Sequence, residues 1–391
     1  MPATIHITDR ERRQVLMWNH RLRRDRRTDD VATIVDALVG LHSSDPATVY
    51  LSAMARMERP SPDPIEVALY DDRTLVRHHA MRRTLWVFTR PTADLAHNST
   101  TRRIASSEER RLAKLIEDND VATDGLAWIA AAKRDLGATI AEVGPVLTRD
   151  LGAATPQWAV PLSAGPATIP AHTRVLLVMA FEGTIVRTRP VGRWISSQYA
   201  WSSMATWMPG TLTDQPVDAA AVGLVSRYLS AFGPATLVDV AWWTGWTRGR
   251  TRAALDDAGV REVLLDDGST GFIPPDGLEP EPGDAGWVAF LPALDSTTMG
   301  WKERDWYLEP ELVPMLFDRN GNAGPTIWVD GRVVGGWVQR PDGEVVFALL
   351  TDVGGQERDL IDMEAERTAA MYGEVRHRCR FPTPMVAQLM G

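Results

Sequence analysis

The chain has 391 residues and a formal net charge of −9, and 44% of its residues are hydrophobic and 24% charged. This length suits two to four domains, and the composition is that of an ordinary soluble globular protein. No apolar run is long enough for a membrane helix, and the N-terminus lacks the zones of a signal peptide. The single cysteine, Cys379, excludes an intrachain disulfide and a thiolate metal cluster. We therefore expect a cytoplasmic protein with neither a metal nor a cofactor.

The charge is unevenly distributed along the chain. Residues 1–115 hold 20 Lys and Arg against 15 Asp and Glu, a balance of +5, whereas the remainder holds 22 against 36, a balance of −14. A local basic surface can neutralise phosphates on an acidic molecule, because charge acts over about a Debye length, ~10 Å. An arginine-rich, solvated helix face explains the same pattern. The charge distribution alone does not decide between a nucleic-acid-binding surface and a solvated helix face.

In chain order, periodicity predicts helices over residues 10–20 and 31–39, the second capped by Asp29 or Asp30. A turn follows at residues 42–45, and Asp45-Pro46 starts a third helix, with an acceptor side chain at the N-cap and proline at the first position. The stretch "RTLVRHHAMRRTLWVFTRP" then predicts two strands around a turn. This order is typical of a winged helix, which we assign to residues 1–118.

The same order is predicted twice more. Residues 119–212 carry helices at 126–136, 139–151 and 172–183, followed by a hairpin in "TIVRTRPVGRWISSQYAW". Residues 213–282 carry a helix at 222–232, two helices capped by Thr236 and Thr247 around a turn at Gly245, and a hairpin in "REVLLDDGSTGFIPP".

The seam "PPDGLEPEPGDAG" predicts a boundary near residue 283. Residues 283–391 read as a small antiparallel sheet or barrel, followed by a helix at 359–372. The predicted fold class is α+β, with three tandem winged helices and a C-terminal antiparallel β-domain.

Most residues that could bind a metal, act as a nucleophile or stack on a base are explained more simply by a structural role. His78 and His79 have no Cys, Asp or Glu at metal-ligand spacing, so a contact in the hairpin or a solvated pair is expected. Cys379 in "RHRCR" is interpreted as a structural cysteine. The tryptophans, including those of "WWTGW", are expected mainly in the core.

The turn in "LVGLHSSDPATVYLSAM" allows two interpretations. In the first, Asp45 is only a helix cap and the serines fill a turn. In the second, His42, Ser44 and Asp45 converge on one water molecule. Histidine can hold or relay a proton near neutral pH, serine can orient the water, and a carboxylate can act as a base or stabilise a developing cation.

Four stretches of the chain together resemble the AlkZ-like DNA glycosylases, a group of winged-helix proteins. They are "LVGLHSSDPATVYLSAMAR", "LVRHHAMRRTLWVF", "RYLSAFGPATLVDVAWWTG" with "RTRAAL", and "LPALDSTTMGWKERD" followed by "PTIWVDGRVVGGW". The resemblance implies three tandem winged helices and a C-terminal β-domain around a concave, C-shaped DNA channel. It also implies a catalytic Gln-x-Gln or Gln-x-Asp pair where this chain has His42 and Ser44. Both positions therefore differ, while Asp45 matches an aspartate that often follows the pair.

The resulting hypothesis is a monomeric DNA glycosylase that releases alkylated purines from double-stranded DNA. It would serve in base excision repair or in resistance to a DNA-alkylating natural product, and the resemblance implies that a bulky adduct is recognised without full base flipping. Asp45 would supply negative charge or act as a base, His42 would position the water and Ser44 would hold it. The arginines expected to bind phosphates are Arg21, Arg23, Arg24, Arg82, Arg83, Arg248 and Arg252.

The placement of Arg250 follows from helical geometry. Four-residue spacing predicts that Arg248 and Arg252 share a helix face, with Arg250 turned elsewhere. The alternative functions are a transcription regulator or a non-catalytic DNA-binding protein on the same scaffold, since winged helices bind DNA without enzyme activity.

Overall fold

The computed structural model describes residues 5–278 and 286–391. The predicted boundary near residue 283 lies outside the described residues. The helices are α1 (Asp9–Asn19), α2 (Val31–Ala37), α3 (Pro46–Met54), α4 (Asp63–Glu66), α5 (Arg90–Ala96), α6 (Arg102–Asp118), α7 (Gly125–Val143), α8 (Thr148–Ala154), α9 (Ala171–Glu182), α10 (Met204–Trp207), α11 (Val217–Phe232), α12 (Leu237–Thr244), α13 (Arg248–Asp257), α14 (Val313–Leu316), α15 (Gly355–Tyr372) and α16 (Pro384–Met390). Within the described ranges, no helix is long and apolar enough to cross a membrane.

The strands are short and form five sheets in the described part of the chain. They are β1 (His6–Ile7), β2 (Leu41–His42), β3 (Leu75–His79), β4 (Leu85–Thr89), β5 (Val146–Leu147), β6 (Pro161–Ala164), β7 (Ala167–Pro170), β8 (Ile185–Pro190), β9 (Tyr199–Ser203), β10 (Ala235–Thr236), β11 (Arg261–Leu265), β12 (Thr270–Ile273), β13 (Val288–Leu291), β14 (Thr326–Val329), β15 (Arg332–Gln339) and β16 (Val345–Leu349).

Three segments of the chain share one order of elements. We call them the first unit (31–89), the second unit (125–203) and the third unit (217–273). In each unit, the strand that comes last in the chain lies inside the sheet, between a short first strand and the second strand. The strand orders are β2-β4-β3, β5-β9-β8 and β10-β12-β11. The predicted hairpins of all three segments are confirmed by these antiparallel pairings.

The predicted helix caps are also confirmed. Asp30 accepts hydrogen bonds from the first turn of α2, and Thr236 and Thr247 do so for α12 and α13. Gly245 has a φ of 74° between α12 and α13, a left-handed conformation that glycine adopts without strain. Local side-chain chemistry therefore sets where these helices begin and end.

The predicted helix over residues 139–151 is wrong. Helix α7 continues to Val143 and ends at Gly144, which has a φ of 75°, and Pro145 follows. Proline cannot continue a helix, so the chain extends into β5 before α8 begins. The long helical stretch after β4 was not predicted; α5 and α6 are joined there by a π-helical segment, His97–Thr101.

His78 and His79 were expected either to make contacts in the hairpin or to be a solvated pair. The second expectation is wrong, because neither histidine is solvated. His78 and His79 lie in β3 and are buried, and His78 Nε2 lies 3.1 Å from His97 Nδ1. Burial lowers the pKa of both imidazoles well below the usual value. No group of residues suited to a metal ion occurs among the described side chains. The tryptophans follow the prediction, since Trp243 and Trp246 are buried.

The C-terminal part of the chain forms an open antiparallel sheet in the order β13-β14-β15-β16. The sequence predicted either a sheet or a barrel. The described strands pair as an open sheet and not as a closed barrel. Helix α15 packs against β13, and α16 packs against β15. The predicted helix at 359–372 is confirmed and begins four residues earlier, at Gly355.

A fully buried ion pair joins the first unit to the segment before α14. The Arg56 guanidinium follows α3 and donates to both Asp295 oxygens, at 2.9 and 3.0 Å. Its other donors bond to Ser52 O, Thr297 Oγ1 and His20 O, so each of its five N–H groups has a partner. Burial by itself raises the pKa of Asp295, but Arg56 and the Ser52 hydroxyl hold it below the usual value.

We predict that Asp295→Asn strongly destabilises the protein, because it leaves the Arg56 charge buried without a counter-ion. Breaking such a buried pair costs about 3–5 kcal/mol. Urea unfolding followed by circular dichroism measures this change. The matched control is Asp256→Asn, which breaks an exposed pair with Arg252 and should leave the unfolding midpoint nearly unchanged. Equal midpoints for wild type and Asp295→Asn would contradict the prediction.

Candidate functional site

The turn at residues 42–45 connects β2 to α3. Its first side is fixed by pairing of β2 with β4, in which His42 lies opposite Trp86. Its second side is fixed by Asp45, whose Oδ1 accepts a hydrogen bond from Ala47 N at 3.1 Å. Pro46 occupies the first position of α3. The predicted cap is therefore confirmed.

The carboxylate of Asp45 also contacts the C-terminal segment. His377 Nε2 donates to it, at 3.1 Å from Oδ2 and 3.3 Å from Oδ1. The backbone N–H of Arg380 donates at 3.4 Å, and the Arg380 Nε lies 4.0 Å from Oδ1. The side chain of Asp45 is only 1% exposed. Helix capping needs one carboxylate oxygen, so these contacts give Asp45 a second role that joins distant parts of the chain.

His42 has a more restricted chemistry than the sequence suggested. Its ring is 4% exposed and lies 5.1 Å from the ring of Trp86. Burial, with the nearby charge of Arg82, lowers the pKa of His42 to about 3. The imidazole is therefore neutral near pH 7, which argues against a proton relay and leaves it able only to make hydrogen bonds. Its Nδ1 accepts one from Ser44 N at 3.4 Å.

The two serines face different surroundings. Ser43 is buried, and its hydroxyl accepts a hydrogen bond from Arg77 Nε at 2.9 Å. Ser44 is the one residue of the turn that is partly exposed. The carboxylate of Asp45 is directed to His377 and the ring of His42 to Trp86. Ser44 is thus the side chain of this turn that an incoming molecule can reach.

Two arginines from different units lie close to the ring of Tyr199, and one of them, Arg77, contacts the turn. Arg77 in β3 is 4% exposed, donates to the hydroxyl of Tyr70 at 2.7 Å and lies 4.6 Å from the ring of Tyr199. Arg187 in β8 lies 5.7 Å from the same ring. Neither forms an ion pair with a carboxylate of the described residues. Arg77 is thus enclosed by Ser43 and the tyrosines, whereas Arg187 is only partly buried and is the one of the two that an anion can reach. Nothing in the sequence singled out either residue.

Arg189 shows the contrasting case two residues further along β8. It forms ion pairs with Glu66 and with Asp71, the latter at 2.8 Å. Arg187 and Arg189 are thus neighbours on one strand, one without a carboxylate partner and one with two. Nothing in the local sequence "IVRTRP" distinguishes them.

The predicted phosphate-binding arginines fall into separate groups. Arg23 and Arg24 line a pocket with Glu364 of α15. Arg21 donates to the carbonyl of Arg26. This part of the chain is largely used for internal contacts, and the predicted role in DNA binding of these arginines stays a prediction.

Arg82 and Arg83 form a second group at the tip of the β3–β4 hairpin. The guanidinium of Arg82 lies 3.9 Å from the ring of Trp242, next to the turn between α12 and α13. Arg83 forms an ion pair with Glu108 at 2.6 Å. Arg82 therefore faces the third unit, and Arg83 faces α6.

Helix α13 differs from the expectation in one respect. Arg248 is exposed, but Arg252 is held by Asp256 at 3.0 Å and by Glu262 at 3.1 Å, which compensates its charge. Arg250 instead lies 4.5 Å from the ring of Trp246 and donates to Ser99 O. Arg250 therefore lies with the hairpin arginines of the first unit, and Arg252 is a weaker candidate for phosphate binding than predicted.

Cys379 lies beside the Asp45 contact and lines a small pocket with Tyr372 and His377. Burial raises the pKa of its thiol to about 11, which keeps the thiol protonated near neutral pH. The thiol is therefore a poor nucleophile, in agreement with a structural cysteine.

A family model described as DNA glycosylase AlkZ-like matches residues 35–371. The solved structure of Streptomyces sahachiroi DNA glycosylase AlkZ has a TM-score of 0.73 and 18% sequence identity, and the match covers 94% of this chain and 98% of that chain. No curated protein matches the chain significantly. The structural likeness establishes a common fold, and the family model spans most of the chain. The chain therefore belongs to the AlkZ-like DNA glycosylase family.

Proposed function

We propose that this protein is a DNA glycosylase that hydrolyses the N-glycosidic bond of an alkylated purine in double-stranded DNA. The observation that carries the proposal is the Asp45 carboxylate, which is buried and held in one orientation by His377 at the turn before α3. The family resemblance assigns catalysis to this turn. A role in resistance to a DNA-alkylating natural product fits the same activity.

The repeated units supply the DNA-binding scaffold in this proposal. Residues 1–118, 119–212 and 213–282 are three winged helices, and residues 283–391 are the C-terminal β-domain. Their common strand order supports this division. The monomer would enclose the duplex in a C-shaped channel, and phosphates would be held by arginines that lack carboxylate partners.

The chemistry requires little acid catalysis. A purine alkylated at N7 or N3 already carries positive charge, so it leaves with the electrons of the glycosidic bond. The enzyme must stabilise an oxocarbenium-like sugar and place a water for attack. Because Asp45 is shielded from solvent, its charge acts electrostatically and not by direct contact with water. Ser44 holds the attacking water, and neutral His42 contributes a hydrogen bond.

Two features of the turn favour a second function, that of a non-catalytic DNA-binding protein. The glutamine pair of the family is replaced by His42 and Ser44, and the charge of Asp45 is partly compensated by Arg380, with Nε 4.0 Å away. Both features suit a non-catalytic DNA-binding protein on the same scaffold. The two functions differ in whether the wild-type protein releases base from alkylated DNA.

We predict that Asp45→Asn lowers the rate of base release by ~10²-fold or more, as expected when a preorganised electrostatic group is lost. Asparagine is also a good N-cap and its side-chain oxygen can still accept a hydrogen bond from His377, so the fold and the affinity for duplex DNA should be preserved, with a moderate fall in melting temperature from the weakened contact. The assay uses a duplex that contains N7-alkylguanine, with detection of the abasic product. The matched control is Asp30→Asn at the N-cap of α2, which should keep the wild-type rate.

An Asp45→Asn protein as fast as wild type would remove Asp45 from the mechanism. If wild type releases no base from any alkylated duplex but still binds it, the non-catalytic function is the correct one.

We further predict that Arg187→Met weakens binding to all duplexes alike, while Arg189→Met does not. Each lost phosphate contact reduces the slope of log affinity against log salt by about 0.9. Fluorescence anisotropy of a labelled undamaged duplex across a salt series measures both quantities. Equal slopes for wild type and Arg187→Met would show that Arg187 does not face the DNA.

A further inference from the structure

A basic pocket lies where the β3–β4 hairpin of the first unit, the start of α6 and the turn between α12 and α13 meet. Its volume is about 230 Å³, and it is lined by residues that include Arg82, Arg83, Arg103 and Arg250, together with Thr100. Of the described residues that line it, none is acidic. Four guanidinium groups on one concave surface attract an anion.

Most of this charge has no counter-ion. Arg103 is exposed and forms no ion pair within the described structure, and Arg250 has only the carbonyl of Ser99 and the ring of Trp246. The Nε of Arg82 is buried without a hydrogen-bond partner. Arg83 alone has a carboxylate partner among the described residues, Glu108. Arg82, Arg103 and Arg250 therefore share this pocket without an ion pair among the described residues, and the one carboxylate that acts on Arg250 does so from beyond ion-pair distance, at Asp218.

The like charges also affect one another. Burial, with the neighbouring Arg304, lowers the pKa of Arg82 to about 10. Burial, with Arg103, lowers the pKa of Arg250. Both groups stay protonated near pH 7, so a bound anion would relieve their repulsion.

The backbone at the hairpin tip supports a role for the side chains. Arg82 and Arg83 have φ values of 54° and 63°, in the left-handed region. These two residues lie in the five-residue connection between β3 and β4, and a non-glycine residue in the left-handed region costs roughly 1–2 kcal/mol. Strained residues of this kind cluster at ligand-binding positions. Arginine at both positions thus indicates that the guanidinium groups serve a purpose at this tip.

We propose that this pocket binds a phosphodiester group of a DNA strand, with Arg103 and Arg250 contacting its non-bridging oxygens and Arg82 closing the pocket from the hairpin. The inference rests on the proposed function and assigns one site to the DNA backbone. A phosphodiester is favoured over free phosphate because the pocket joins two units and lies near the turn, where the charge of Arg82 acts on His42. The site would fix the register of the strand relative to Ser44.

The test compares Arg103→Met and Arg250→Met, singly and together, with Arg252→Met. Arg252 lies two residues beyond Arg250 in α13 and is held by Asp256 and Glu262, so it is the matched control. The full-length proteins are titrated with a labelled undamaged duplex across a salt series. We expect the double variant to reduce the slope of log affinity against log salt by about 0.9, the contribution of one phosphate. Arg252→Met should behave as wild type.

Arg82→Gly provides a variant that keeps the fold. Glycine adopts the left-handed conformation freely, so relief of strain offsets the lost contact with Trp242. We expect an unchanged melting temperature and weaker duplex binding. A lower melting temperature with unchanged binding would show that Arg82 serves packing, which would contradict its place in the site.

A second experiment uses inorganic phosphate in place of DNA. The melting temperatures of the wild type and of the double variant are measured in phosphate and in chloride at equal ionic strength. If wild type binds the duplex and the Arg103→Met/Arg250→Met protein binds it with the same slope, the inference is overturned while DNA binding stands. If wild type does not bind the duplex, the proposed function fails. Stabilisation by phosphate that the double variant loses would then identify a free-phosphate site, which overturns the DNA backbone as the occupant.

Discussion

The buried Arg56–Asp295 pair is the constraint on which the candidate site depends. It fixes the C-terminal end of α3 to the segment at residues 295–297, with all five guanidinium donors satisfied. The N-terminal end of the same helix is fixed by Asp45, which binds His377. Helix α3 is thus attached at both ends to the C-terminal part of the chain. These two long-range contacts therefore add to the β2–β4 pairing in fixing the position of the turn at residues 42–45.

This arrangement shows how one aspartate can have two structural roles and still be proposed for catalysis. Asp45 caps α3 and anchors the C-terminal segment, and both contacts hold its carboxylate in one orientation. A charge that is fixed and shielded from water stabilises a developing cation more effectively than a mobile, solvated one, because it needs no reorganisation. In the proposed function, arginines without carboxylate partners hold the polyanionic strand, so that a carboxylate and cations act on different parts of one substrate.

Local features of the fold could be predicted from the sequence, and long-range contacts could not. The Asp45-Pro46 cap, the caps at Thr236 and Thr247 and the hairpins depend on neighbouring residues, so their signals lie within a few positions. The contact of Asp45 with His377 joins residues 332 positions apart, and "RHRCR" gave no sign of it. Likewise, Arg187 and Arg189 look alike in sequence, and only Glu66 and Asp71 of another unit make them different.

In the proposed mechanism, Asp45 and His377 act as one unit at the turn of residues 42–45. A double-mutant cycle on the single-turnover rate of base release from N7-alkylguanine DNA tests it most directly, with Asp45→Asn, His377→Ala and the combined variant. The combined variant should be no slower than Asp45→Asn alone, because His377 acts only through the carboxylate. Rate losses that multiply in the combined variant would show that the two residues have independent roles and would overturn this coupling.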